Sequence, residues 1–404
     1  MPRRSGPRAL MAFAAATALA AGLSGAAQSA PRVTDETVRV GYRGHVFTVP
    51  ASWQVVDLER NPDACVRFDR HAVYLGTPGA RQNCPARVRG RTEALLIQPA
   101  AAESSVTAAG SPHAVTGSVT ENPTAGTYRI TAGSVSVTAA YGDDRRRIQD
   151  VLRSAGLPVA AQTAETPAAA PLPADATSFR GEGFDACTAP SRSTMDAWGE
   201  ASDYGAIGIY IGGINRACAQ PNLTAQWVRT QYANGWRFIP LYVGRQPSTD
   251  GGSCQGGCAV ITDPVPQGHA AADDAARQAA ALGLAKGTVI YDDLEHYALG
   301  DIVTDQVLAY LSAWTERLHK LGYRSGAYGG ASSLMSDLVD ARDDITLPDV
   351  IHFARWNYES TTWDPMVPAD MWDKHQRIHQ YIGDTTETHG GVKIAIDRDR
   401  LNVD

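Results

Sequence analysis

The residues best suited to chemistry sit in one short run, Val289-Ile290-Tyr291-Asp292-Asp293-Leu294-Glu295-His296-Tyr297. Its apolar start reads as a buried parallel strand, and it ends in three carboxylates and a histidine. Side chains alternate along a strand, so Asp293 and Glu295 share one face and Asp292 takes the other. Two neighbouring acids on one face suit general acid/base work, because one can hold a proton while the other stays ionised. Taken alone, the run also fits a loop of surface acids paired with arginine.

The elements around it argue for more. From about Phe179 the pattern alternates strand and helix. Strands are expected at 183–187, 206–211, 238–243, 289–293, 324–329, 350–356, 377–381 and 393–397. Helices are expected from Ser193, around Trp227, over 269–284 and over 304–321. In the last of these Val307, Leu308, Leu311, Trp314 and Leu318 recur at helical spacing. Eight such units fit a (β/α)8 TIM-type barrel, whose active site lies at the C-terminal strand ends. A doubly wound sheet would carry a Gly-rich phosphate loop after its first strand, and none is present. The strand ends supply Asp185, Tyr210, Tyr242, Asp293 with Glu295, Tyr328, Trp356, Gln380 and Asp397. Acids beside aromatic rings suit a carbohydrate: carboxylates act at the glycosidic bond and rings stack on sugar faces.

Ahead of the barrel, residues 31–157 read as a small α+β domain with short strands, a late hairpin at 128–139 and a closing helix from about Asp144 to Arg153. Its charges are scattered and read as a solvated face, which makes it a binding or accessory module. Residues 158–178 are rich in Ala, Pro and Thr and read as a linker to the barrel at 179–404. Residues 1–30 have a basic start (Arg3, Arg4, Arg8), an Ala/Leu-rich run and a small-residue end, the pattern of a secretory signal peptide. No later segment is long and apolar enough to span a bilayer. The expected location is therefore secreted, extracellular or wall-associated, without a stable membrane span after signal cleavage. Six cysteines in local pairs agree with export: Cys65 with Cys84, Cys187 with Cys218, Cys254 with Cys258. The last pair resembles half a zinc site, but no second pair completes it. The net charge of -7 is uneven: 31–157 holds 15 basic against 12 acidic residues, and 179–404 holds 18 against 29. An acidic main domain excludes nucleic acid as the expected partner.

Gly183-Phe184-Asp185, Tyr291-Asp292-Asp293-Leu294-Glu295, His379-Gln380-Tyr381 and Ile396-Asp397 follow one another in a known order. Over 179–404 this resembles the secreted glycoside-hydrolase-like domain of actinobacteria, long catalogued as a domain of unknown function. That domain is similar to family 25 lysozymes, which cleave the glycan strand of peptidoglycan. The resemblance implies Glu295 as general acid and Asp293 as partner carboxylate. It implies Asp185 and Asp397 as the rest of an acidic floor, and Tyr328, Trp356 and Gln380 as the sugar subsite, to which the strand-end rings Tyr210 and Tyr242 add further expected substrate contacts. It implies a peptidoglycan or polysaccharide substrate, no cofactor and a monomer. One departure stands out: where family 25 ends in a signature like Asp-Leu-Asn, this chain has Asp397-Arg398-Asp399, an arginine placed to pair with a floor acid. Two other readings compete. One is a wall-glycan-binding protein that keeps the acids without turnover. The other is a metal-dependent hydrolase using Asp292, Asp293, Glu295 and His296, although no His pair at ligand spacing supports it and no metal is expected.

Overall fold

The computed structural model describes residues 36–100, 118–142, 144–159, 162–163, 168–247 and 257–404. The signal-peptide reading of 1–30 and Cys254 lie outside these residues. Thr37–Asp404 forms one compact unit.

Eight strands close a barrel in chain order: Phe179–Asp185, Tyr204–Gly212, Arg237–Tyr242, Val289–Asp293, Arg324–Gly330, Val350–Ala354, Gln376–His389 and Val392–Val403. The expected strands all lie here, but the repeat is not (β/α)8. Neighbours are parallel through the seventh strand, whereas the eighth is antiparallel to both the seventh and the first. The reason is local. The seventh and eighth strands form one long hairpin turning at Gly390 and Gly391, whose φ values of 55° and 76° suit a tight hairpin turn, so no crossover helix is needed. Long helices follow only the first four strands: Arg192–Ala201, Ala225–Ala233, Pro264–Leu282 and Asp301–Leu321. Proline opens the third of these, and Gly322 in the left-handed region ends the fourth.

Strand alternation divides the core. Outward residues such as Ile207, Ile290 and Phe353 pack with Trp198, Trp227 and Trp314 under the helices. Inward residues such as Ile239, Leu241, Val289 and Tyr291 fill the barrel. Burying each large apolar side chain contributes roughly 1.5–3 kcal/mol.

The first module is a seven-stranded sheet, beside a two-stranded hairpin of Thr37–Tyr42 and His45–Pro50. The helix Arg145–Ser154 buries Ile148, Val151 and Leu152 and is capped by Asp144, which accepts from the Arg147 N–H. Cys65–Cys84 and Cys187–Cys218 are disulfides. Val88 packs against Cys187, Ala217 and Cys218, fastening the module to the barrel. Further on, Ala169 and Leu172, within the stretch expected as a linker, donate to the carbonyls of Ala280 and Gly283. Among the described residues no helix is long and apolar enough to cross a membrane.

Candidate active site

The fourth strand delivers its acids to opposite faces, as alternation requires. Asp292 points outward, where the Tyr310 hydroxyl donates to it at 3.5 Å. Asp293 and Glu295 point to the barrel mouth. The backbone between them is pinned by the buried Gln246, whose Nε2 donates to the Asp293 carbonyl at 2.6 Å and whose Oε1 accepts from the Glu295 N–H at 2.8 Å. Gln246 was not singled out in the sequence, where it is one glutamine in a loop.

Asp185 and Asp397 face each other across the first and eighth strands. The Tyr210 hydroxyl donates to Asp185 at 2.8 Å, and the Gln380 amide donates to Asp185 at 2.9 Å and to Asp397 at 3.5 Å. Gln380 accepts in turn from the Tyr328 hydroxyl at 3.0 Å and the Trp356 indole at 3.1 Å. Eight of the nine candidate site residues thus share one neighbourhood.

Tyr242 is the exception. It pairs in register with Asp292 and shares its outward face, so its hydroxyl donates to Asp274 on a helix, at 3.0 Å. Arg398 also departs from expectation. It pairs with Glu387 at 3.5 Å and lies over the rings of Tyr204 and Tyr381, away from the floor acids.

The arginines that do meet these acids come from the first module. Arg89 is held between the two acids of the fourth strand: Nη2 is 2.9 Å from Asp293 and Nε is 3.0 Å from Glu295. It also donates to the Tyr210 hydroxyl at 3.1 Å. Arg87 lies over the Trp356 ring, 4.6 Å from its centroid, at longer range from Glu295 (3.5 Å), Asp384 (3.6 Å) and Asp397 (3.7 Å). The expectation that the module's charges form a solvated face fails here, because an i, i+2 pair of arginines on an extended segment turns both guanidiniums to one side. That spacing was the available signal.

Burial dominates the electrostatics. It pushes Asp293 up to about 7, against the pull of Arg89. It also raises Asp397, with repulsion from Asp185 second. Deeper in the barrel, burial lowers His352 to about 4 and raises Asp399, so the two hydrogen-bond at 2.9 Å with both neutral forms favoured. Asp185, His352 and Asp399 place ligand atoms within 4.8 Å of one another, although His352 Nε2 and Asp399 Oδ1 are already engaged with each other. The four residues of the metal-hydrolase reading do not converge. Asp292 faces outward, Asp293 and Glu295 hold Arg89, and His296 is exposed.

Beside Glu295 opens a cavity of about 300 Å³, walled by Arg87, His296, Tyr328 and Trp356. Trp356 is 40% exposed. Such a pocket combines one acid, a ring face and the hydroxyls of Tyr328 and Ser332, with Asp293 buried behind Glu295 on the same strand face; these are groups that can hold a sugar and protonate a glycosidic oxygen.

The sequence model of the Rv2525c-like, glycoside hydrolase-like domain matches residues 196–401. Among solved structures, the chain is similar to the Tat-secreted protein Rv2525c of Mycobacterium tuberculosis, with 17% identity, a TM-score of 0.40, and coverage of 55% of this chain and 96% of that one. It is also similar to the spore cortex lytic enzyme SleM of Clostridium perfringens, with 15% identity, a TM-score of 0.37 and coverage of 55% and 67%. The modular autolysin LytC of Streptococcus pneumoniae is similar too, with 10% identity, a TM-score of 0.37 and coverage of 68% and 56%. No curated protein matches the sequence.

Proposed function

Because the chain belongs to the Rv2525c-like, glycoside hydrolase-like domain family, we propose that it is a secreted glycoside hydrolase of peptidoglycan or a related cell-envelope glycan. Glu295 is the general acid and Asp293 the partner carboxylate. The observation that carries this reading is the pairing of both acids on one guanidinium at the barrel mouth, beside a cavity walled by Trp356 and Tyr328. Glu295 protonates the glycosidic oxygen, while Asp293 orients water or the acetamido group of the sugar. Asp185 and Asp397 hold Gln380 and Tyr210 beneath the sugar. This two-carboxylate chemistry requires no cofactor. The disulfides Cys65–Cys84 and Cys187–Cys218 support an oxidising compartment.

Substrate entry requires Arg87 to leave the Trp356 ring. Its ion-pair distances are 3.5 Å and longer and its side chain is 23% exposed, so it is the looser of the two arginines. Arg87→Ala is expected to raise the rate of reducing-end release from envelope glycan by up to about tenfold, since contacts of this kind contribute about 1 kcal/mol or less each. An unchanged or lower rate shows that Arg87 does not gate the pocket. A second prediction concerns Gly383. A Cβ there would lie 1.9 Å from the Trp356 ring, so Gly383→Ala must push the ring aside. Glycan affinity is expected to fall about tenfold with loss of the ring's stacking. Unchanged affinity in a titration removes Trp356 from the subsite.

One observation favours a second reading, a wall-glycan-binding protein without turnover. Arg89 contacts both acids in a buried setting and stands where a substrate oxygen would approach them. In that case Trp356 and Tyr328 bind sugar, and Glu295→Gln changes nothing measurable.

A further inference from the structure

A larger cleft, about 640 Å³, opens where the strand Thr127–Ala132 and the residues around Asn122 meet the barrel loop at Gly212 and the helix Pro264–Leu282. Gly90 directs the chain to it. With φ of 98°, and a Cβ excluded by the Gly257 carbonyl at 2.8 Å, it breaks the alternation that placed Arg87 and Arg89. Arg89 goes to the acids and Arg91 to the cleft.

Four arginines line this cleft, Arg91, Arg129, Arg216 and Arg277, with two acids, Glu121 and Asp274. Both acids are already engaged. Glu121 pairs with Arg145 at 2.7 Å, and Asp274 pairs with Arg277 at 3.1 Å and accepts from Asn122 and Tyr242. Arg91, Arg129 and Arg216 have no carboxylate partner among the described residues. Arg91, 6% exposed, donates to the carbonyls of Ala125 and Arg216, and Arg216 to those of Tyr210 and Ile211. Each keeps a buried Nε with no acceptor. The Arg129 side chain makes no hydrogen bond or ion pair within the described residues. Burial, followed by repulsion between Arg91 and Arg216, holds Arg91 down to about 9. Guanidinium groups stay charged in proteins; Arg91 is buried, Arg216 half-buried and Arg129 exposed to the cleft, and with no carboxylate paired to them among the described residues the three present uncompensated positive charge that suits an anion.

We propose that this cleft binds a phosphate-bearing ligand, with the oxyanion held between Arg91, Arg129 and Arg216. The lining has two more cations than acids, which a phosphate dianion balances and a single carboxylate does not. Thr127 and Thr138 add hydroxyls to the lining. The volume exceeds a bare phosphate and leaves room for a sugar. This site stands independently of hydrolysis at the barrel mouth.

Calorimetric titration of the full chain with inorganic phosphate, glucose 6-phosphate and glucose tests the proposal. Wild type is expected to bind both phosphates and not glucose. Arg129→Ala is the informative variant because its side chain holds nothing else in place. It is expected to keep the wild-type melting temperature without ligand and to lose at least about tenfold in phosphate affinity; Arg129→Glu is expected to lose binding. Tighter binding of glucose 6-phosphate than of inorganic phosphate assigns a phosphorylated saccharide, and equal binding assigns free phosphate. No binding of either phosphate by wild type, or equal affinity in wild type and Arg129→Ala, overturns the proposal.

Discussion

Arg89→Ala is expected to lower folding stability by roughly 3–5 kcal/mol at pH 7.5, because removing one partner of a buried ion pair leaves uncompensated charge. The Arg89 and Glu295 side chains are each 5% exposed and that of Asp293 is 0% exposed, so water cannot replace the lost cation. The effect has a pH signature. Burial already raises Asp293 to about 7 in the folded state, above its unfolded value, so Asp293 binds a proton in the native protein before it would in the unfolded chain. Its contribution to stability is therefore largest at low pH and declines as pH rises through about 7. Arg89 opposes that decline only where Asp293 is ionised. The deficit of Arg89→Ala relative to wild type should narrow as pH falls from 7.5 toward 5. Denaturant unfolding at the two pH values measures it. Equal stability of the two proteins at pH 7.5 contradicts a buried pairing of Arg89 with these acids.

Glu295→Gln is expected to reduce release of reducing ends by about a hundredfold to ten-thousandfold, the usual contribution of a general acid. Glutamine preserves the shape, and Asp293 stays as the counter-ion of Arg89, so folding and glycan binding should stay close to wild type. The loss then falls on turnover and not on affinity, a split that steady-state kinetics resolves. A parallel loss of binding would mean that Glu295 grips the sugar and transfers no proton.

Much of the barrel was legible because each strand is a local hydrophobic run. Val289–Asp293 ends in its acids where the pattern places them, and the helix expected over 304–321 is Asp301–Leu321. The final hairpin was harder to read. Gly390-Gly391 lies between two strands that each extend beyond their apolar centres, at Arg377–Tyr381 and Lys393–Asp397, so the two runs looked like separate units. Tyr242 was misplaced because a position at a strand end does not determine its face. The register with Asp292 does, and the second and third strands shift register between Tyr210 and Gly212. Arg87 and Arg89 were the deepest omission. They meet acids some 200 residues later in the chain; the i, i+2 spacing puts both guanidiniums on one side but does not say which acids they meet. The run Asp292-Asp293-Leu294-Glu295 had two readings in the sequence, catalytic acids or acids paired with arginine, and the fold combines them.

The most direct measurement is whether wild-type protein generates new reducing ends on purified peptidoglycan and a panel of envelope polysaccharides, with pull-down on the same material. The account predicts release from at least one glycan, removed by Glu295→Gln. Retained pull-down with no release from any glycan contradicts the hydrolase and leaves a protein that binds the wall without cutting it.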